Sequence, residues 1–330
     1  MIEIENKFLT NYTFIDLFAG IGGFHYALSS CGAKCVFACE WNSFAQKTYI
    51  DNFGVIPQGD ITKIEAKDIP THDILCAGFP CQAFSIAGKQ KGFEDVRGTL
   101  FFDIVRIAEY HKPKILFLEN VKNLISHDTG NTFSTIKNYL SNLGYNVFYQ
   151  ILDTSNFGLP QHRERIYIVA FRKDILHNDN FKFPTLKMDS CLNDILEKNN
   201  NDIKFIERSD MQIYKDFSCY DTLLGSIRLP NRPIQIGIIN KGGQGERIYH
   251  TLGHAVTLSA YGGGVGAKTG LYFIDGKIRR LTPKECARLQ GFPNNFIINE
   301  NINEAYKQFG NTVSIDVLQY ILIEIGKIIT

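Results

Sequence analysis

Phe14-Ile15-Asp16-Leu17-Phe18-Ala19-Gly20-Ile21-Gly22-Gly23 is the stretch on which the fold turns. It reads as a strand running into a glycine-rich turn and then a helix. Glycines let a backbone approach a ligand closely, and the helix start presents N–H groups that have no partner within the helix. Taken alone this is only a tight turn, and it lacks the full GxGxxG spacing of a dinucleotide fingerprint. Two acidic residues further along the chain give it meaning. Glu40 lies 20 residues after Gly20, near the end of the next strand candidate, where a carboxylate can accept both hydroxyls of a ribose. Asp60, after the next segment, is placed to receive an adenine amino group. The three features together predict a cofactor containing a nucleoside.

Outward from that turn, short apolar runs alternate with helical patterns, as in a parallel sheet with crossover helices. The strand candidates are Thr13–Leu17, Lys34–Ala38, Ile74–Cys76 and Lys114–Leu118. Each ends in a loop bearing glycine, proline or an acid, which is where open α/β sheets hold their ligands. Residues 146–152 and 165–171 read as a β-hairpin pair. From about Phe181 to Arg232 the periodicity fades, and the segment reads as a linker into a second domain. Ile234–Phe273, rich in glycine and β-formers, predicts a small twisted sheet. A helix is expected over 281–290, with Thr282 as N-cap and Pro283 at its first position, and a final amphipathic helix over 316–328.

Composition narrows the class. The 330 residues are 44% hydrophobic and 21% charged, an ordinary globular mixture. No run approaches the roughly 20 apolar residues of a membrane span, and the acidic N-terminus lacks a signal-peptide layout. A cytoplasmic protein is expected. The eight cysteines include no CxxC pair, which argues for reduced thiols and against a metal site. Net charge is only +1, but between Arg228 and Arg288 ten basic residues face three acidic ones. A local excess of that kind suits phosphate neutralisation.

Three further clusters carry chemistry. In Gly78-Phe79-Pro80-Cys81-Gln82, a proline fixes a cysteine at the C-terminal edge of a strand. Glu119-Asn120-Val121 ends the next strand and opens into the same crevice. In Gln161-His162-Arg163-Glu164-Arg165, the two arginines alternate, so both are expected on one face. Separately, a buried cysteine, a surface carboxylate and a salt-bridged arginine pair account for them. Together they make the set that a pyrimidine requires. Carbon 5 of cytosine attacks a methyl sulfonium only after a thiolate adds at carbon 6. A carboxyl at N3 and a guanidinium near O2 stabilise the charge that develops.

These segments resemble, in order, the motifs of the DNA cytosine-5 methyltransferases. Arg288-Leu289-Gln290-Gly291-Phe292-Pro293 and Gly310-Asn311-Thr312-Val313 complete the series. The resemblance covers residues 1–175 and again about 237 to the C-terminus, and is poor between about 178 and 235. It implies a Rossmann-like, S-adenosyl-L-methionine-dependent α/β sheet with a smaller β-rich target-recognition domain. The implied division is 1–190 with 311–330 as catalytic and cofactor domain, 191–282 as the DNA-reading domain and 283–310 as a hinge. Cys81 is then the nucleophile, with Glu119, Arg163 and Arg165 as its catalytic partners. Phe18, Ala19, Gly20, Ile21, Gly22, Gly23, Glu40, Trp41, Asp60, Ile61 and Pro80 line the cofactor pocket, and Asn311 and Val313 close it. Ser85–Thr99, with Gly88, Gly92 and Gly98, is the expected lid.

The resemblance also implies a flipped cytosine in double-stranded DNA. Lys241, Gln244, Arg247, Thr257, Tyr261, Gly263 and Gly264 match DNA-reading loops, with Gln244 filling the vacated stack and Arg247 suited to a guanine edge. The implied site is 5′-GCGC-3′, methylated on its first cytosine, in a restriction–modification system with a cognate endonuclease and a monomeric enzyme. Ala87 stands where that branch of the family has serine, and Gln235 where it has arginine. His250 and Leu252 also depart. The competing readings are the same chemistry on tRNA, a nicotinamide oxidoreductase, and a DNA-binding module without activity.

Overall fold

Residues 4, 7–80, 100–176, 180–198, 203–214 and 231–329 are described by the structure, a computed structural model. The chain divides into two compact units. One holds residues 2–152, 164–185 and 317–330; the other holds 153–163 and 186–316.

The first unit is built on six strands: β1 (Thr13–Leu17), β2 (Lys34–Cys39), β3 (Ile74–Gly78), β4 (Ile115–Val121), β5 (Tyr145–Asp153) and β6 (Glu164–Arg172). Their order across the sheet is β2-β1-β3-β4-β6-β5. The β1, β2, β3 and β4 pairings are parallel, and β6 runs antiparallel to β4. Parallel strands are covered on both faces, so they read as unbroken apolar runs rather than alternating ones. One face packs Ile15, Leu17, Leu75, Leu116 and Ile168 against helices α3 (Leu100–His111) and α4 (Asn131–Asn142), through Phe101, Ile104, Ile136 and Leu140. Helix α1 (Gly23–Ser30) comes directly after the glycine turn. Helix α2 (Ser43–Phe53) starts where the Asn42 side chain accepts the Ala45 N–H at 3.0 Å, and stops at Gly54, whose φ of +66° favours glycine. The expected strands are all present, and the two hairpin candidates are neighbours at the sheet edge.

The second unit carries a five-stranded sheet of order β11-β10-β9-β8-β7. Its strands are β7 (Met211–Ile213), β8 (Ile234–Ile239), β9 (Arg247–His250), β10 (Leu271–Ile274) and β11 (Lys277–Arg279). Ile234, Ile236, Ile239, Ile248, Leu271 and Ile278 form its core. The linker expected over 181–232 is corrected in part: β7 lies inside it, paired antiparallel with β8. Three residues with no clean alternation carry little signal, and β7 forms because β8 offers a free edge. Helix α5 (Pro283–Leu289) has the expected Thr282 cap, reinforced by a capping box with Glu285. Beyond it lie α6 (Ile302–Asn311) and α7 (Ile315–Ile329), the latter running into the first unit.

Candidate active site

The end of β4 brings two of the catalytic candidates, Glu119 and Arg165, together. Val121 pairs with Arg165 and Glu119 with Tyr167, so Glu119 and Arg165 are diagonal neighbours on one face of the sheet. Arg165 Nε lies 3.2 Å from Glu119 Oε1, with both side chains largely buried. On the other side of β4, Gly78 pairs with Glu119, and Asn120 donates from Nδ2 to the Phe79 carbonyl at 3.0 Å. The backbone that leads through exposed Pro80 towards the cysteine is thereby fixed beside the carboxylate. Cys81 itself, Gln82, Ala87 and the expected lid Ser85–Thr99 lie outside the described residues.

Arg163 departs from expectation. It lies just before β6, which begins at Glu164, so strand alternation need not extend to it, and its partners are not those of Arg165. Gln161 instead bridges to Ala255, and this stretch belongs to the other unit. The Arg163 guanidinium is 2% exposed and donates to the carbonyls of Thr312 (2.7 Å), Gly310 (3.4 Å) and Leu258 (3.5 Å).

The cofactor candidates gather at the C-terminal ends of β1 and β2. Phe18, Gly20 and Gly22 take φ of 55°, 56° and 85°. Gly22 is required sterically, since a Cβ there would meet the Phe53 ring at 2.1 Å. A Cβ on Gly20 would meet nothing within 4 Å, so the turn leaves open space above it. Glu40 accepts the Gly20 N–H on Oε2 and the Asn42 N–H on Oε1, each at 2.8 Å. Burial raises its carboxyl above the usual range, against the pull of those N–H groups. Each oxygen keeps acceptor capacity for a further hydroxyl. Trp41, beside Glu40, is 83% exposed, an apolar plate that a ligand can cover. Gln58 pairs with the end of β2 through Gln58 N–H to Ala38 O and Glu40 N–H to Gln58 O, which brings Asp60 alongside. Asp60 caps the turn of Ile61–Lys63, and the Thr62 hydroxyl and N–H hold its carboxyl below the ordinary value. Ile61 is buried; Ala19, Ile21 and Gly23 complete the turn. Asn311 and Val313 lie at the end of α6 and just past it, in the other unit.

In that unit the two predicted reading loops are joined backbone to backbone. Gly266 N–H donates to Gly245 O at 2.7 Å, and a Cβ on Gly245 would sit 2.0 Å from Gly263 O. Glu246 shapes the first loop by accepting from Gly243 N and Asn240 Nδ2. Lys241, Gln244, Arg247, Thr257, Tyr261, Gly263 and Gly264 are all exposed, and Tyr261 is 79% so. The Thr257 hydroxyl already donates to His162 O. His250 and Leu252, two of the departures, are buried, whereas Gln235 is exposed on β8. The basic excess is not all at the surface. Arg279 is buried in a two-pronged pair with Glu285 at 2.7 Å, and Arg288 serves Asn294 and the Ile195 and Leu196 carbonyls. Arg228 lies outside the described residues.

Residues 12–327 match the model of the C-5 cytosine-specific DNA methylases. The chain belongs to this family. It is 52% identical over 329 residues to the type II methyltransferase M.HhaI of Haemophilus parahaemolyticus, covering 99% of this chain and 98% of that one. It is 45% identical over 332 residues to the type II methyltransferase M.HpaII of Haemophilus parainfluenzae, at 93% and 87% coverage. Among solved structures, the Entamoeba histolytica methyltransferase EhMeth superposes with a TM-score of 0.71 at 20% identity, over 95% of this chain and 97% of that one, a likeness of fold.

As a cytosine-5 methylase the chain is an enzyme, and its fold is that of the S-adenosyl-L-methionine-dependent class. The Glu119–Arg165 pair sets a carboxyl, which can accept or donate a hydrogen bond, beside a guanidinium that only donates. Asn120, which anchors the Phe79 carbonyl, has a role the sequence alone leaves open; its signal is its place between Glu119 and Val121 in the motif. The welding glycines Gly245 and Gly266 carry no signal beyond a glycine-rich composition. Among the described residues no cluster of metal-binding side chains occurs, and no helix is long and apolar enough to cross a membrane.

Proposed function

We propose that this methylase is a type II modification enzyme that flips a cytosine out of duplex DNA and methylates carbon 5 through a covalent Cys81 adduct, at 5′-GCGC-3′ on the first cytosine. The observation that carries the chemistry is the Glu119–Arg165 pair, set beside the strand end that leads to Cys81. The site rests on the 52% identity to M.HhaI and on the exposure of Gln244, Arg247 and Tyr261.

The Cys81 thiolate adds to carbon 6, and the ring's electrons move to carbon 5. Glu119, shared with Arg165, protonates or hydrogen-bonds N3, while Arg165 holds O2 and keeps the carboxyl oriented. S-adenosyl-L-methionine, when bound, supplies an electrophilic methyl group. The residues that fit it are the open turn at Gly20, the Glu40 carboxylate, Trp41, Asp60 and Ile61, with Phe18, Ala19, Ile21, Gly22, Gly23 and Pro80 shaping the pocket and Asn311 and Val313 completing it. After carbon 5 is substituted, a general base takes its proton, the C–H electrons re-form the 5,6 double bond and the thiolate leaves carbon 6. Gln244 fills the gap in the stack, Arg247 reads a guanine edge, and Lys241, Thr257, Tyr261, Gly263 and Gly264 support the contact. Residues 1–190 with 311–330 act as the catalytic domain, 191–282 read DNA and 283–310 form the hinge. A monomer working in the cytoplasm beside a cognate endonuclease completes the reading.

Incubating the protein with S-adenosyl-L-methionine and plasmid, then sequencing after bisulfite, tests both parts. Conversion-resistant first cytosines at GCGC are expected, with none for Cys81→Ser. Methylation at another sequence sinks the assigned site. No methylation, or methylation of tRNA instead of the duplex, sinks the function.

A further inference from the structure

Within the second unit, the proposed DNA-reading loop is held to α6 and to Thr312 just past it at four points. The Arg163 guanidinium spans both, donating to Leu258 O on one side and to Gly310 O and Thr312 O on the other. Gly310 lies so close to the loop that a Cβ would sit 2.4 Å from Ala260 N and 2.5 Å from the Ser259 carbonyl carbon. Lys268 Nζ donates to Asn303 O at 3.2 Å, and Lys307 Nζ stands 5.9 Å from the centre of the Tyr261 ring. The loop continues into Gly266, which is hydrogen-bonded to Gly245 of the other reading loop. A continuous set of backbone contacts therefore runs from Gln244 to Asn311.

We propose that Arg163 is a positioning residue: its guanidinium joins the DNA-reading loop at Leu258–Tyr261 to the cofactor-closing segment at Gly310–Val313, so that duplex binding and cofactor binding strengthen each other through this joint. This role rests on the proposed function of Asn311 and Val313. The residue type suits the task. A planar fork with five N–H donors can serve three carbonyls from two segments, whereas a lysine ammonium is a point charge on a flexible stem. A guanidinium buried to 2% exposure must keep its hydrogen bonds, so the two segments cannot part without uncovering it. A ligand that orders one segment then lowers the cost of ordering the other, and the coupling is reciprocal.

Trp41, the only tryptophan of the chain, gives a readout independent of turnover. The dissociation constant of S-adenosylhomocysteine is measured by its fluorescence, with and without a GCGC duplex, and the ratio of the two is the coupling factor. In Arg163→Lys that factor is expected to fall by roughly fivefold or more, while in Arg165→Lys it stays at the wild-type value although turnover drops. An unchanged factor in Arg163→Lys overturns the proposal, whether turnover is lost, which makes Arg163 a substrate contact, or kept, which makes it packing. Hydrogen exchange on the wild-type protein tests the same joint without a variant. S-adenosylhomocysteine alone should slow exchange across 257–264, and protection that stops short of this loop overturns the joint. Absence of any S-adenosylhomocysteine binding overturns the functional reading itself and this inference with it.

Discussion

In the six-stranded unit the proposed working groups are side chains at strand ends, and in the five-stranded unit they stand on or beside loops whose backbones touch. Glu40 is held by hydrogen bonds at the end of β2, and Glu119 and Arg165 are aimed by strand register and joined by an ion pair, over a core covered by helices. Gln244 and Tyr261 project instead from turns, and Arg247 from the start of β9, where the Gly266 N–H donates to Gly245 O at 2.7 Å and a Cβ on Gly245 would have no room. The first arrangement suits chemistry, where a carboxyl and a guanidinium must keep a fixed geometry. The second suits a partner as broad as a duplex, where the surface must present exposed tips on a firm base. Damage should therefore differ in kind: lost turnover with intact binding in one unit, lost binding and selectivity with an intact cofactor site in the other.

The sharpest break of that contrast is Glu119→Gln. It keeps the shape but cannot release a proton to N3, and turnover should fall by about 10²–10⁴-fold with duplex affinity little changed, as single-turnover assays and gel shift would show. A comparable loss of affinity would place Glu119 with the reading residues.

Gly245→Ala attacks the other unit. The new Cβ would lie 2.0 Å from Gly263 O, a backbone atom with no easy retreat. The loops must separate, and duplex affinity should drop by about tenfold or more, roughly 1.4 kcal/mol, while S-adenosylhomocysteine still quenches or enhances Trp41 fluorescence as in wild type. Equal affinity for DNA would show that the weld is not needed for reading.

Acid should act on the first unit through two buried histidines. Burial lowers His25 to about 4, where it meets the Tyr49 hydroxyl, and His72 to about 4, beside His111. Both folded values lie below the unfolded value near 6.5, so the stability they contribute is complete above pH 6.5 and is lost as pH falls towards 4. By the acid end each has cost about 3 kcal/mol of stability. Urea midpoints taken between about pH 7 and pH 4 should fall steeply, and His72→Asn should flatten the slope; an unchanged slope refutes the assignment.

Arg247→Ala carries the narrowest effect, confined to one base pair: a loss of about 1–3 kcal/mol in discrimination at one guanine. Competition between GCGC and singly substituted duplexes measures it. A uniform loss across all duplexes would make Arg247 a phosphate contact instead.

Much of the first unit is legible in the chain itself. Strands β1 to β4 declare themselves because buried parallel strands are continuous apolar runs, and the motifs at their ends come in order. Strand β7 and helix α6 do not, since a three-residue strand exists only through its neighbour and α6 carries its apolar residues sparsely. Arg163 misleads because alternation between residues 163 and 165 holds only within one strand, and the strand begins between them. The charge excess misleads in part because a count cannot tell Arg279, buried against Glu285, from Arg247 at the surface.

The chemistry proposed for this enzyme is written in its residues: a cysteine after a proline, a carboxylate, an arginine and a glycine turn, each of a type and order that few reactions need. Reactivity is a property of functional groups, and a sequence names those directly. Folding in three dimensions settles a different set of questions. It selects which arginine meets Glu119 and which one ties Leu258 to Gly310 and Thr312, and it makes Gly245 and Gly266 hold two distant loops as one surface. Those are matters of register and of close approach between residues far apart in the chain, and distance in sequence carries no information about either.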